Sequence, residues 1–356
     1  MLINFSARNG IKTPVQLFYH PEPVRPKRRI WPVFMPFSGC PYRCVYCAQE
    51  KQTGHDVTSL DYIYQQLVSE LKEYFENSNH SPLEIAFFGG TFTALPKEWQ
   101  LRFLSLADDY KKRRLLTRVR CSTRPDCVSP ELLAELKDAG LDMVELGIQS
   151  FANYVLEASL RQYDSKTAVE ACEFVKKSGL SLGIQLLPGL PGSVFGDLYR
   201  DISITRELNP EAVRIYPCLV VRGTVLHKWY ERGEYIPWSV ERAVEEVSSA
   251  LLRLWNRNIA VIRSGVALEQ SFRTNIIAGP VHDAFGQMAR SKALYLYMRT
   301  RLASGGGYKP LRLEVPARYS GEFWGHRRNL SALYSRLGLT SGNVSFHSGN
   351  LFHLFF

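Results

Sequence analysis

Short runs rich in β-branched and aromatic residues alternate along this chain with longer stretches whose apolar residues recur at helical spacing. The runs at 30–37, 84–88, 118–123, 143–148, 180–187 and 212–216 read as strands, since each is a short apolar segment between turn signals. The stretches at 60–75, 98–110, 130–139, 165–178 and 194–208 read as helices. Their ends are marked. Ala139-Gly140 and Ser178-Gly179 place glycine where a left-handed residue closes a helix, and Ser129-Pro130 offers a cap followed by a first-turn proline. Regular strand–helix alternation calls for a parallel α/β sheet, here a partial (β/α)6-type TIM barrel.

In such a barrel the chemistry sits on loops at the C-terminal ends of the strands. The unusual residues fall there: clustered cysteines after the first strand, Gly89-Gly90-Thr91 after the second, 122–126 after the third, Gln149-Ser150 after the fourth and 188–192 after the fifth. Beyond the sixth strand come a helical stretch at 239–258 and a further strand-like run at 260–265. The remainder holds a helix at 285–302, a glycine-rich loop at 304–307, and alternating runs at 344–346 and 351–356 that suggest a terminal hairpin. The expected organisation is a lead-in at 1–29, a core barrel at 30–265 and a smaller α+β extension at 266–356.

With 356 residues, 45% of them hydrophobic, the chain can bury a sizeable core, which excludes disordered and disulfide-scaffold classes. No apolar run reaches the 18 or so residues that span a bilayer, and the first residues lack a signal-peptide stretch, so a cytoplasmic protein without membrane partners is expected. Basic residues outnumber acidic ones 44 to 34, a net charge of +10 with a pI near 9.2. Clusters at 25–29, 111–114 and 327–328 suit a polyanion such as RNA, or are solvated faces.

Seven cysteines cannot all pair, and three lie within eight residues: Cys40-Pro41-Tyr42-Arg43-Cys44-Val45-Tyr46-Cys47. Three thiolates on one loop can bind three irons of a [4Fe–4S] cubane, leaving the fourth iron open, as a catalytic centre requires. A zinc site made with His55 is the alternative, although this spacing is not a usual zinc pattern. Cys121, Cys127, Cys172 and Cys218 stand singly among apolar neighbours and read as core filler.

The Cys-x3-Cys-x2-Cys spacing, with Tyr46 before the last cysteine, resembles the radical S-adenosylmethionine superfamily. The resemblance implies that the open iron holds S-adenosyl-L-methionine, whose reductive cleavage gives a hydrogen-abstracting 5′-deoxyadenosyl radical. It also implies an electron donor such as flavodoxin or ferredoxin. Phe87-Phe88-Gly89-Gly90-Thr91 is similar to the family's glycine pair after the second strand. Thr91 stands where glutamate is commoner, matching the branch that contains Elongator's catalytic subunit and the oxygen-independent coproporphyrinogen oxidases. Gly147-Ile148-Gln149-Ser150-Phe151 resembles the same branch and implies cofactor contacts from Gln149 and Ser150. Arg161 matches an arginine on the methionine carboxylate, and Gln185 stands where the porphyrin oxidases place an aspartate on the ribose.

Ser122-Thr123-Arg124-Pro125-Asp126, Arg214-Ile215-Tyr216-Pro217 and Val221-Arg222-Gly223-Thr224 look like Elongator-type domains rather than porphyrin oxidases. Arg124 and Arg222 then either hold an anionic substrate or pair within the barrel rim. The residues after the barrel are too few for an acetyltransferase domain, so the expected substrate chemistry is modification of RNA, a transfer RNA base, without acetyl transfer. A coproporphyrinogen-like oxidase and a haem carrier remain the alternatives. His282, in a loop before a helix, is either a proton donor near the cavity or a satisfied loop histidine, and Arg263 has the same standing.

Overall fold

Seven parallel strands pair side by side in the order in which they occur: β1 (Ile30–Phe34), β2 (Leu83–Phe88), β3 (Leu116–Thr123), β4 (Met143–Gln149), β5 (Ser181–Leu186), β6 (Ala212–Ile215) and β7 (Ala260–Ser264). Consecutive parallel neighbours need crossovers, and the first five are built on Leu60–Glu76, Lys97–Lys112, Pro130–Asp138, Ser165–Lys177 and Asp197–Leu208. The result is the expected partial barrel, a curled open sheet with one strand more than six, since β7 pairs with β6 from Ala260 against Ala212. The computed structural model describes residues 2–6, 12–24, 29–53, 58–76, 81–266, 268–304 and 309–356. They fall into two compact units, one of Val24–Ser239 with Ile259–Val281, the other of Met1–Pro23, Val240–Asn258 and His282–Phe356.

The helix signals operate as the residues suggest. Ser129 accepts a hydrogen bond from the Leu132 amide and Pro130 opens its helix. Gly140 and Gly179 follow their helices with φ of +102° and +75°. Side chains in the strands alternate by face. Ile85, Val119, Cys121, Val144, Leu146, Ile184 and Val213 are buried on the helix-covered side. The other side lines a cavity with Glu84, Arg118, Arg120, Ser122, Gln185 and Arg214, an unusually charged set for a parallel sheet.

Asp201 on the fifth crossover helix is buried, and burial pushes its carboxyl up to about 6. It accepts from the Phe151 amide at 2.8 Å and the Ser150 hydroxyl at 3.2 Å, which fixes the turn after β4.

The second unit is a five-stranded sheet in the order Leu2–Ser6, Lys12–Phe18, Phe352–Phe355, Arg312–Pro316, Val344–His347, together with helices Val240–Trp255 and Phe285–Ala303. This differs from the linear organisation expected above. The segment at 1–29 supplies two strands rather than a lead-in, with Phe18 in register with Phe352. The terminal hairpin also does not form: Arg312–Pro316 lies between the two expected arms, parallel to one and antiparallel to the other. Its buried Leu313 and Val315 join Phe18, Met298, Phe323, Tyr334 and Phe352 in one core, an apolar gain that a two-stranded ribbon lacks. The glycine-rich loop at 305–307 lies outside the described residues.

Candidate active site

The cysteine loop is held by the backbone of the glycine segment. Met35 N–H donates to Phe88 O at 2.8 Å, Thr91 N–H to Ser38 O at 2.7 Å, and Cys40 N–H to Phe37 O at 3.0 Å. Gln49 Oε1 accepts from both the Gly90 and Phe37 amides, tying the two loops together. Gly90 has a φ of +65°, and a Cβ there would lie 2.7 Å from Met35 O and closer still to Ser38 O. Neither backbone can yield without losing those bonds. Gly90→Ala should therefore destabilise the barrel by roughly 3 kcal/mol or more, read as a fall in melting temperature. An unshifted melting curve would show that the loops part freely.

Cys44 is buried, while Cys40 and Cys47 are half-buried. All three border one cavity of about 1000 Å³. Burial pushes the Cys40 and Cys47 thiols up; Cys44 raises both further, and Cys40 adds to this at Cys47. Cations offset this: Arg161 Nη1 donates to Cys44 Sγ at 3.1 Å, and Arg124 Nη1 lies 3.8 Å from the same sulfur. Thr91 Oγ1 sits 3.3 Å from Cys40 Sγ. These groups favour charge on the thiols, which a metal cluster requires of its ligands. Among the described residues no three Cys, His, Asp or Glu side chains converge where a single ion would sit. Cubane ligation asks something different, one thiolate for each of three irons around a shared space. His55, the fourth donor of the zinc alternative, lies outside the described residues.

Arg161 is buried and bonded rather than solvated, and it borders the same cavity. Its Nε donates to Tyr163 OH at 2.9 Å, its Nη1 also to Tyr46 OH at 3.2 Å, and its Nη2 to Gly147 O at 2.6 Å. The residues on either side, Leu160 and Gln162, have φ of +53° and +62°, a strained backbone that delivers the guanidinium to the cysteines. Burial pushes the Tyr163 hydroxyl up to about 12, keeping it a neutral donor to the carbonyls of Gly147 and Ile148.

Of the other expected site residues, Gly89, Gly90, Thr91, Gln149 and Gln185 line the same cavity. Gln149 has a φ of +69°, and its amide folds over Gly147, where a Cβ would meet it at 2.7 Å. Gln185 donates to Ser122 Oγ at 3.1 Å and to Glu145 Oε2 at 3.4 Å. Ser150 does not border the cavity; its hydroxyl serves Asp201 and the Ala152 amide. Arg124 lines the cavity and holds Asp126 through two bonds of 2.9 Å, a pairing within the barrel rim. Arg263 borders the cavity, whereas Arg222 is exposed and does not. His282 Nδ1 accepts from the Ala284 amide and its ring meets His326 edge-on, the satisfied arrangement.

Sequence reasoning missed the charged interior. Glu145 lies 3.2 Å from Arg120 Nη1 and accepts from Arg214 Nε at 2.6 Å, and Glu211 takes both ends of Arg118 at 2.6 and 2.8 Å. The signal was present in strands 84–88, 118–123, 143–148 and 212–216, where charges stand at alternate positions in otherwise apolar runs.

Two family models match the chain: the radical SAM superfamily over residues 34–202 and the radical SAM C-terminal domain over residues 210–294. A tRNA uridine(34) acetyltransferase from Methanocaldococcus jannaschii is 31% identical over 215 residues, covering 54% of this chain and 40% of that protein. The Elongator complex protein 3 of Homo sapiens is 28% identical over 262 residues, covering 62% and 47%. The chain thus spans about half the length of these relatives or less. Among solved structures, an N-terminally truncated Elp3 from Methanocaldococcus infernus superposes with a TM-score of 0.56 at 22% identity, over 77% of this chain and 63% of that one, a likeness of fold.

Proposed function

The chain belongs to the radical SAM superfamily, and from that premise we propose that this enzyme modifies a base of transfer RNA. The family uses a [4Fe–4S] cluster and S-adenosylmethionine, which when bound supply one-electron cleavage of a carbon–sulfur bond and hydrogen-abstracting chemistry. In this reading Cys40, Cys44 and Cys47 hold three irons, and Arg161 and Arg124 offset the charge on the sulfurs. Gly89, Gly90, Thr91 and Gln149 border the space for the cofactor, with Gln185 farther along the cavity wall. Ser150 acts through the turn it shares with Asp201. The one-electron donor would be a small redox protein of the flavodoxin or ferredoxin kind.

The observation that carries the RNA reading is where the charge lies. The unit of Met1–Pro23, Val240–Asn258 and His282–Phe356 contains 15 basic and 7 acidic residues, so +8 of the net +10 belongs to it. Arg299, Arg318, Arg327, Arg328 and Arg336 are exposed there. Arg327 and Arg328 are both held at positive φ, +50° and +58°, a strained turn presenting two guanidinium groups. Exposed guanidinium groups in excess of acidic residues within one unit suit phosphates. The relatives' names, which speak of tRNA, agree with this.

Gel-shift titration of bulk transfer RNA at two salt concentrations tests the proposal. With about four phosphate contacts at a log–log slope near −0.7 each, a fourfold rise in salt should weaken binding roughly fifty-fold. A protein with its cluster intact that fails to bind at low salt would sink the RNA reading.

A further inference from the structure

Arg263 ends a row of residues that crosses the sheet at the level of the glutamines in the cavity wall. Gly147 on β4 pairs with Gln185 on β5, Gln185 with Arg214 on β6, and Arg214 with Arg263 on β7, the last strand. At about 4.8 Å per strand the row measures roughly 14 Å along the sheet. At its near end the Gly147 carbonyl accepts from Arg161. A register shift decides which side chain stands at its far end. Val261 pairs with Val213, but the next pair is Arg263 with Arg214, so Ile262 is passed over. An unbroken ladder would set Arg263 beside Ile215 and turn it to the helix-covered side. Instead Arg263 borders the cavity, and it is exposed.

Of the arginines lining this cavity, Arg263 alone is uncommitted among the described residues. Arg118 is paired with Glu211, Arg120 and Arg214 with Glu145, and Arg124 with Asp126, while Arg161 bonds Tyr163 and the Gly147 carbonyl. Arg263 makes no hydrogen bond or ion pair, and Glu269, an exposed carboxylate on the same wall, lies outside ion-pair reach of it. The arginines, Arg161 and Arg263 included, also outnumber the carboxylates of the wall and their partners, which are Glu84, Glu145, Glu211, Glu269 and Asp126. One cation is left over, where a ligand can reach it.

We infer that Arg263 binds a phosphate group of a nucleotide whose base enters the cavity. A guanidinium fork with all its N–H donors unengaged matches phosphate oxygens. Burial decides where the charge stays. Deeper in the cavity a phosphate loses its water and meets guanidinium groups already neutralised, whereas at Arg263 it remains solvated on one side. The uncharged base is free to go farther, along the row toward Gln185. The inference rests on the RNA reading for the nature of the ligand and adds the contact that holds the nucleotide at the cavity.

The test uses the reconstituted holoenzyme and two probes that differ by the phosphate alone, uridine and uridine 5′-monophosphate. Ligand-observed NMR titration should show the monophosphate bound about five-fold more tightly, the size expected of one solvent-exposed charged contact. Arg263→Gln should abolish that preference by weakening the monophosphate and leave uridine unchanged, and Arg263→Lys should keep part of it. The side chain bonds nothing in the fold, so the melting temperature and iron–sulfur absorption of both variants should match the wild type. Equal wild-type affinities, binding of neither probe, or a preference that survives in Arg263→Gln each overturns the subsite. Should the glutamine variant unfold, the wild-type ratio and the lysine variant still decide. Failure of transfer RNA to bind in the gel shift, with the probe pattern intact, removes the RNA reading and leaves a subsite for a free nucleotide. Transfer RNA binding without the probe pattern removes the subsite and leaves the RNA reading.

Discussion

Cys44→Ala should leave protein that, after anaerobic reconstitution, holds essentially no iron or sulfide, where the wild type holds about four of each. Cys44 is the buried member of the three, and its sulfur is the one that Arg161 and Arg124 face. Alanine at Cys40 or Cys47 should have the same outcome, because a cubane left with two anchors in so open a cavity is lost on handling. By contrast, alanine at Cys121, Cys172 or Cys218, all buried in the packed interior, should keep full iron content and cost about 1 kcal/mol each. Iron and sulfide assays with the 400 nm region of the absorption spectrum make the comparison. A cluster that survives Cys44→Ala, or stoichiometric zinc in place of iron, would falsify the ligand assignment.

Arg161→Met should have two separable effects. S-adenosylmethionine affinity should fall about ten-fold or more, the loss expected when a charge-assisted bond worth about 1.5–3 kcal/mol is removed. Stability should fall as well, by roughly 2–4 kcal/mol, because Tyr46, Tyr163 and Gly147 each lose a buried donor. Arg161→Lys should recover part of the stability but little of the affinity, since an ammonium does not reproduce the planar fork. Equilibrium binding of the cofactor and thermal melting provide the two readouts. Unchanged affinity in a destabilised variant would make Arg161 a clamp on the loop alone.

The paired reading of Arg161 could not come from sequence. Arg161 meets Cys44 across 117 positions and Tyr46 across 115, and no local pattern encodes such a meeting. Gln149 was legible as a residue of the cavity wall, whereas its neighbour Ser150 was not distinguishable from it. One residue of strand alternation, and the position of Asp201 on a helix 51 residues later, turn that hydroxyl away from the cavity. The pairing of Glu145 with Arg120 and Arg214 was overlooked because parallel strands are expected to be apolar on both faces, and only closure of the sheet around a cavity gives one face a polar interior.

By itself the sequence determined the strand–helix rhythm, the helix ends at Ser129, Gly140 and Gly179, and the three thiols on one loop. These depend on short-range physics: apolar periodicity, backbone conformations open to glycine, and ligand spacing within eight residues. Tertiary structure alone decided that strands at both ends of the chain share one sheet, and that the excess charge gathers on that unit. It also decided that Arg120 is buried in the cavity wall against Glu145. Each of these depends on which distant segments meet, and the free energy of burying their shared apolar surface selects that partner, not any preference written within either segment.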